Sequence, residues 1–336
     1  MKGKNQKFQT LTAVLLVVCL IFAVGCTPAP ESGSPNSGEP AESAEEGKIV
    51  IGLSEPSSGW PYISAYMRAF EAAAAKNPDV TVHLLSADGD IQKQANDIDD
   101  LIVQQVDILL VCSLDGTAIV PSLAKAKAAG IPILAVSNEP NEEGQALLEG
   151  FSGPDDKEQG RIAARIMAEA LDNKGNIVIV EGTPGQSTTL LRSDGFREEL
   201  EKIAPEMKIL AAQPSDWDPA KAKSVAQAFI TKYGTELDGI FSQDDNTAAA
   251  VGEVVRDAQL DKNIIIVGTG GSKNGINAIR SGLIYGTMMQ SPTIDAEQGL
   301  ELALKIVSGE KLEQKRNIIP MPIVTPENAT EYEGEW

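Results

Sequence analysis

The sequence predicts an α/β protein made of two doubly wound parallel-sheet lobes. Three observations carry this. From about residue 48, short apolar runs alternate with segments of helical spacing, the pattern of βαβ units with both sheet faces covered. At least nine such runs are present, more than one compact lobe of ordinary size holds. An internal echo repeats the order strand, Asp-x-Thr-Ala, helix, strand: "VDILLVCSLDGTAIVPSLAKAKAAGIPILAVS" is answered by "LDGIFSQDDNTAAAVGEVVRDAQLDKNIIIVGT".

The chain opens with Lys2, Lys4 and Lys7, an apolar run from Leu11 to Val24, and a small-residue ending at Gly25 and Cys26. This reads as a secretory signal over residues 1–25. The ending Ala23, Val24, Gly25, Cys26 resembles a lipobox, which makes Cys26 the expected lipidation site and first residue of the mature chain. An uncleaved membrane anchor is the other reading, with a similar location. Residues 26–47 are rich in Pro, Ser, Gly and Glu and contain no large apolar side chain. They cannot bury enough surface to fold and read as a disordered tether.

The strand candidates are "KIVIGL", "VTVHLLS", "DILLVC", "IPILAVS", "NIVIVEG", "MKILAAQ", "DGIFSQ", "NIIIVGTG" and "LIYGTMMQ". Helices fill the gaps. Ile63, Met67, Phe70 and Ala74 share one face of the first, and Pro61 suits its first turn. Asp115 and Asp245 each stand between a strand and a helix, where helix capping is the commonest role. Asp244 has no carboxylate counterpart in the first unit, so its side chain is freer to face a ligand.

Composition excludes several functions. The net charge is −20, and residues 1–25 contribute three lysines and no acid, so the remainder is more acidic still. Such a chain is poorly suited to nucleic acid or anionic lipid. Cys112 alone lies in the body, so no intrachain disulfide is available there. His83 is the sole histidine and sits in a strand-like alternation, which removes multi-histidine metal sites and most triad chemistry. "GTPGQSTT" lacks the lysine of a phosphate loop, and "GTGGSKNG" lacks the spacing of a dinucleotide fingerprint. No cofactor or metal is expected.

Ligands of open α/β sheets bind beyond the carboxyl ends of the strands. Trp60, Tyr62, Cys112 to Asp115, Ser137, Asn138, Thr183 to Ser187, Trp217, Asp244, Gly268 to Gly271 and Gln290 all fall at such ends. In a chain that is only 4% aromatic, Trp60 and Trp217 at strand ends are either lobe packing or walls of a binding site. Trp336, the last residue given, is set aside from that reading.

These stretches together resemble the solute-binding proteins of sugar ABC transporters, of the ribose/galactose-binding, type I periplasmic binding protein kind. "GIPILAVSNE", "GPDDKEQGRIAARIM", "VEGTPGQSTTLLRSDGF", "QPSDWDPAKA", "QDDNTAAAVG" and "VGTGG" carry the likeness in order and spacing. The resemblance implies two lobes closing on a sugar about a three-strand hinge. The first lobe would comprise residues 48–152 and 291–320, the second 153–290 and 321–336. It also implies a monomer that hands its ligand to ABC permease subunits, and an extracytoplasmic, lipid-anchored location. Carried over, Trp60 and Tyr62 form one side of an aromatic clamp and Trp217 the other, with Arg192 and Gln290 as polar contacts.

The chain departs from the family pattern at several places. Ser137 and Asn138 stand where many members have an Asp-Arg pair, and Gly270 where an Asp is common. The lining is thus expected to suit a small neutral sugar or polyol. The alternatives are a secreted enzyme acting on a sugar-like substrate and a sensory binding protein feeding a receptor. A ligand-responsive DNA regulator is disfavoured, because a signal sequence occupies the place of its helix-turn-helix.

Overall fold

Alternating strands and helices fold into two parallel sheets, as the apolar periodicity requires. A computed structural model describes residues 47–260 and 263–336. The signal, Cys26 and the tether up to residue 46 lie outside the described residues. Among the described residues no helix is long and apolar enough to cross a membrane.

The first half of the chain runs β1 (Ile49–Glu55), α1 (Pro61–Ala74), β2 (Val80–Ser86), α2 (Ile91–Val103), β3 (Ile108–Val111), α3 (Val120–Ala128), β4 (Ile133–Val136), α4 (Glu142–Gln145) and β5 (Gly150–Gly153). The chain then crosses to α5 (Asp156–Ala170), β6 (Asn176–Glu181), α6 (Ser187–Ile203), β7 (Lys208–Pro214), α7 (Pro219–Tyr233), β8 (Gly239–Ser242), α8 (Asp245–Asp257), β9 (Ile265–Val267), α9 (Lys273–Arg280) and β10 (Thr287–Met288). It returns through α10 (Pro292–Val307) and β11 (Arg316–Ile318), and crosses once more to β12 (Ile323–Val324). The first sheet has the order β11-β5-β4-β3-β1-β2 and the second β7-β6-β8-β9, with every pairing in both parallel.

Both sheets are buried on both faces, and strand alternation sorts the side chains between them. Ile108 and Leu110 of β3 pack with Ile63 and Phe70 of α1 and Leu300 of α10. Leu109 and Val111, pointing the other way, pack with Ile98 and Leu101 of α2 and Leu123 of α3. In the second sheet Ile177 and Ile179 meet Met167 and Phe196, while Val178 and Val180 meet Phe229, Val251 and Ile276. The helix starts follow local chemistry. Asp90, Asp155, Asp218 and Ser291 accept backbone N–H bonds as N-caps of α2, α5, α7 and α10. Trp60 holds the capping position of α1 with no side-chain bond to the helix, and Pro61 supplies the pre-set first turn.

Three differences from the sequence reading have physical causes. Strands β5, β11 and β12 were not among the expected runs. The first is "GFSG", with a glycine at each end, and the others are three and two residues long, so none shows a period. The run "LIYGTMMQ" forms only the short β10, which pairs antiparallel with β12. In the second echo unit the cap expected of Asp245 falls to Asp244. Asp244 is the N-cap of α8, accepting from the N–H of Asn246 and Thr247 at 2.9 and 3.0 Å. Asp245 is fully buried and accepts from the N–H of Gly271 and Ser272 and from the hydroxyl of Thr287. The counterpart of Asp115, which accepts from the N–H of Thr117 and Ala118, is therefore Asp244.

Candidate functional site

The carboxyl ends of both sheets face a shared cavity. The loop from β1 brings Trp60 to it, the first turn of α1 brings Tyr62, and the end of β4 brings Asn138. From the second sheet come Gln186, Thr188 and Arg192 around the start of α6, Trp217 ahead of α7, Asp244 ahead of α8, and Thr269 with Gly270 after β9. Gln290, on the crossing into α10, and Trp336 complete the walls.

The aromatic walls are held by different means. Trp217 has φ +60° and follows Asp216 at φ +54°, two consecutive left-handed residues without a glycine. Such a conformation costs of order 1 kcal/mol or more and persists where the surroundings over-determine it. Here they do: the indole Nε1 donates to Gln186 Oε1 at 2.8 Å, and the ring lies over Gly182, where a Cβ would fall 1.9 Å from Cζ2. The Arg192 guanidinium lies 6.0 Å from the Trp217 ring centroid. On the opposite wall Trp60 and Tyr62 pack against the first-sheet core while lining the cavity. The Tyr62 hydroxyl donates to Asp295 Oδ2 at 2.7 Å, and burial pushes its pKa well above the ordinary value.

The polar floor is a connected network. Arg192 donates through Nε to Gln159 Oε1 at 3.0 Å, through one terminal nitrogen to the Gln243 carbonyl at 2.7 Å, and through the other to Gln290 Oε1 at 3.1 Å. It also lies 3.1 Å from Asp156, so its charge is balanced inside the protein. The Thr188 hydroxyl sits 2.6 Å from Asn138 Oδ1 and 2.9 Å from Asp156 Oδ2, joining the two lobes. Burial raises the Asp156 carboxyl to about 6, against the pull of Arg192 and Thr188. Burial likewise raises Asp244 to about 6, opposed by the Thr247 N–H, Arg192 and Asn246. Arg192 and Asp244 are the only charged side chains among the described residues lining the cavity. Its chemistry is therefore that of aromatic faces interleaved with amide, hydroxyl and one carboxylate group, which suits hydroxyl-bearing solutes.

Of the residues singled out from sequence, Trp60, Tyr62, Asn138, Arg192, Trp217, Asp244 and Gln290 line the cavity. Asp115 and Ser137 do not. Asp115 closes the turn before α3, with its Oδ2 beside Gly185 of the second lobe. Ser137, buried at φ +57°, donates to Asp295 Oδ2 at 2.6 Å and so braces the same carboxyl as Tyr62. Gln186 and Thr269, which line the cavity too, lie in the strand-end stretches 183–187 and 268–271, whereas Thr188 and Trp336 line it without any sequence signal that placed them there. His83 lies within β2, paired in register with Gly52 and away from the cavity lining.

Two doubly wound lobes with a shared aromatic and polar cavity define a solute-binding protein. A family model for the periplasmic binding protein domain matches residues 51–311. The chain is 31% identical over 297 residues to the xylitol-binding protein of Mycolicibacterium smegmatis, covering 87% of this chain and 81% of that one. It is 26% identical over 313 residues to the ribose import binding protein of Bacillus subtilis, covering 93% and 98%. An ABC transporter solute-binding protein from Bacillus halodurans, solved with bound myo-inositol, has the same fold at a TM-score of 0.81 and 22% identity, covering 87% of this chain and all of that one. The chain belongs to the periplasmic binding protein family, among its type I sugar-binding members, a family of binding proteins and not of enzymes.

Proposed function

We propose that this protein captures a small neutral sugar or polyol between its lobes and delivers it to the permease of an ABC importer. The observation that carries the reading is the cavity itself. Trp60 and Trp217 stand on walls from different lobes, and Arg192, the one cation lining it among the described residues, is already neutralised by Asp156. An anionic solute would meet no free cation among the described residues there, while a polyol finds aromatic faces for its C–H groups and Asn138, Asp244 and Gln290 for its hydroxyls. The names of the two relatives, one binding xylitol and one importing ribose, point to the same class.

Residues 48–152 with 291–320 form one moving body in this reading, and 153–290 with 321–336 the other. Cys26 is the lipid-anchored first residue of an extracytoplasmic mature protein. A Cys26→Ser variant is expected to leave the membrane fraction. Attachment that persists with processing at another residue would contradict the anchor.

A thermal-shift screen of the protein from residue 48 onward, against xylitol, D-ribose, neutral hexoses, amino sugars and dicarboxylates, tests the ligand class. A true ligand at 100 times its Kd stabilises the folded state by about 2.7 kcal/mol. The neutral sugars or polyols are expected to give the largest shift and to be recovered chemically unchanged. A dicarboxylate giving the largest shift would sink the assignment.

A further inference from the structure

Residues 329–336 form a strap between the lobes. Arg280, at the end of α9 on the second lobe, donates to the carbonyls of Ala329 and Tyr332 at 3.2 and 2.7 Å and to Glu333 at 2.9 Å. The N–H of Lys273, at the other end of α9, donates to the Trp336 carbonyl at 2.8 Å. Glu335 reaches the opposite way. It accepts from the Ser291 hydroxyl at 2.7 Å and from the Thr293 N–H at 3.3 Å, at the start of α10, which covers the first sheet. Anchors on both lobes thus fix the backbone of the residue that follows, Trp336.

The Trp336 ring enters the cavity between them. Its centroid lies 5.5 Å from that of Tyr62 with the planes at 83°, an edge-to-face pair. It occupies the space over Gly270, where a Cβ would fall 2.6 Å from Cζ2 and where φ is +122°. Glycine is therefore required at 270 for the ring to sit there. Two polar atoms on this wall, Trp336 Nε1 and Thr269 Oγ1, are buried and have no hydrogen-bond partner among the described residues. Leaving buried polar groups unpaired is costly, and native proteins rarely do so without a reason. A solute oxygen in the cavity supplies one.

We propose that Trp336 is a ligand-recognition residue: its ring covers one face of the solute, and its Nε1–H donates to a solute oxygen beside Thr269. The proposal rests on the reading of the cavity as a sugar or polyol site. It makes the aromatic lining three tryptophans, not two, together with Tyr62. It also makes the 329–336 strap part of the binding surface, with the ring seated by contacts to both lobes.

Titration calorimetry with xylitol and D-ribose on four proteins tests it: the wild type, Trp336→Ala, Trp336→Phe and Trp217→Ala. Trp336→Ala is expected to bind its preferred solute at least about tenfold more weakly, the loss typical of an aromatic hot spot. Trp336→Phe, which keeps an aromatic face and lacks the donor, should fall between Ala and wild type. Wild-type affinity in both Trp336 variants, with binding lost in Trp217→Ala, would overturn the role of Trp336 and leave the site reading standing. Failure of the wild type to bind either solute would overturn the proposal together with the xylitol- or ribose-like reading beneath it.

Discussion

Trp217 concentrates the physics of the candidate site in one residue. Its left-handed backbone is held by the Gln186 bond and by the bare backbone of Gly182 beneath the ring. Trp217→Ala is expected to weaken solute binding by about 2 kcal/mol or more with little change in folding, because it removes a cavity wall and no core contact. Unchanged affinity in both Trp60→Ala and Trp217→Ala would make them packing residues. Gly182→Val should have a similar effect without touching the solute, since its side chain needs the volume the indole occupies. A folded Gly182→Val protein with wild-type affinity would contradict this account of how the ring is placed. Trp60, Tyr62 and Trp217 were legible in the sequence because each falls at the junction between an apolar strand run and the helix that follows it. Trp336 was not, because it belongs to no strand or helix whose period would place it.

Elements were legible in proportion to their period. The buried strands β1, β3, β4, β6 and β8 read directly as apolar runs, whereas β5, as long as β3, has a glycine at each end, and β11 and β12 are only three and two residues long. The Asp244 and Asp245 pair shows a subtler limit. The echo with Asp115 aligns Asp245, yet the helix starts one residue differently and Asp244 takes the cap. Sequence spacing alone cannot separate two adjacent acids at a strand-to-helix junction. Asp245 instead ties the loop after β9 to Thr287, and burial raises its carboxyl to about 7. Asp245→Ala would leave the N–H groups of Gly271 and Ser272 unpaired in the interior. A loss of about 2 kcal/mol or more of unfolding free energy is expected in urea titration. A loss under about 0.5 kcal/mol would show that the loop does not depend on this carboxylate.

At the scale of the whole molecule, buried acids set the pH response. Burial raises Asp295 to about 7 even though Ser137 and Tyr62 donate to it, and Asp156, Asp244 and Asp245 are raised as well. A carboxyl raised in the folded state binds more protons there than in the unfolded chain. Its contribution is thus fully present below about pH 4, the ordinary carboxylate range, and is lost as pH rises through about 7. Tm is therefore expected to fall between pH 5 and pH 8, and Asp295→Asn should flatten that fall. A Tm that rises across this range would contradict the assignment.

The central claim is that the two lobes capture one small neutral polyhydroxylated solute between tryptophan-bearing walls. The most direct measurement is equilibrium titration of the wild-type protein with xylitol and with D-ribose, followed by intrinsic tryptophan fluorescence. The account predicts saturable binding of one solute per chain with a changed emission, and a much weaker response in Trp217→Ala. No saturable change with either solute, or the same response in wild type and Trp217→Ala, would contradict it.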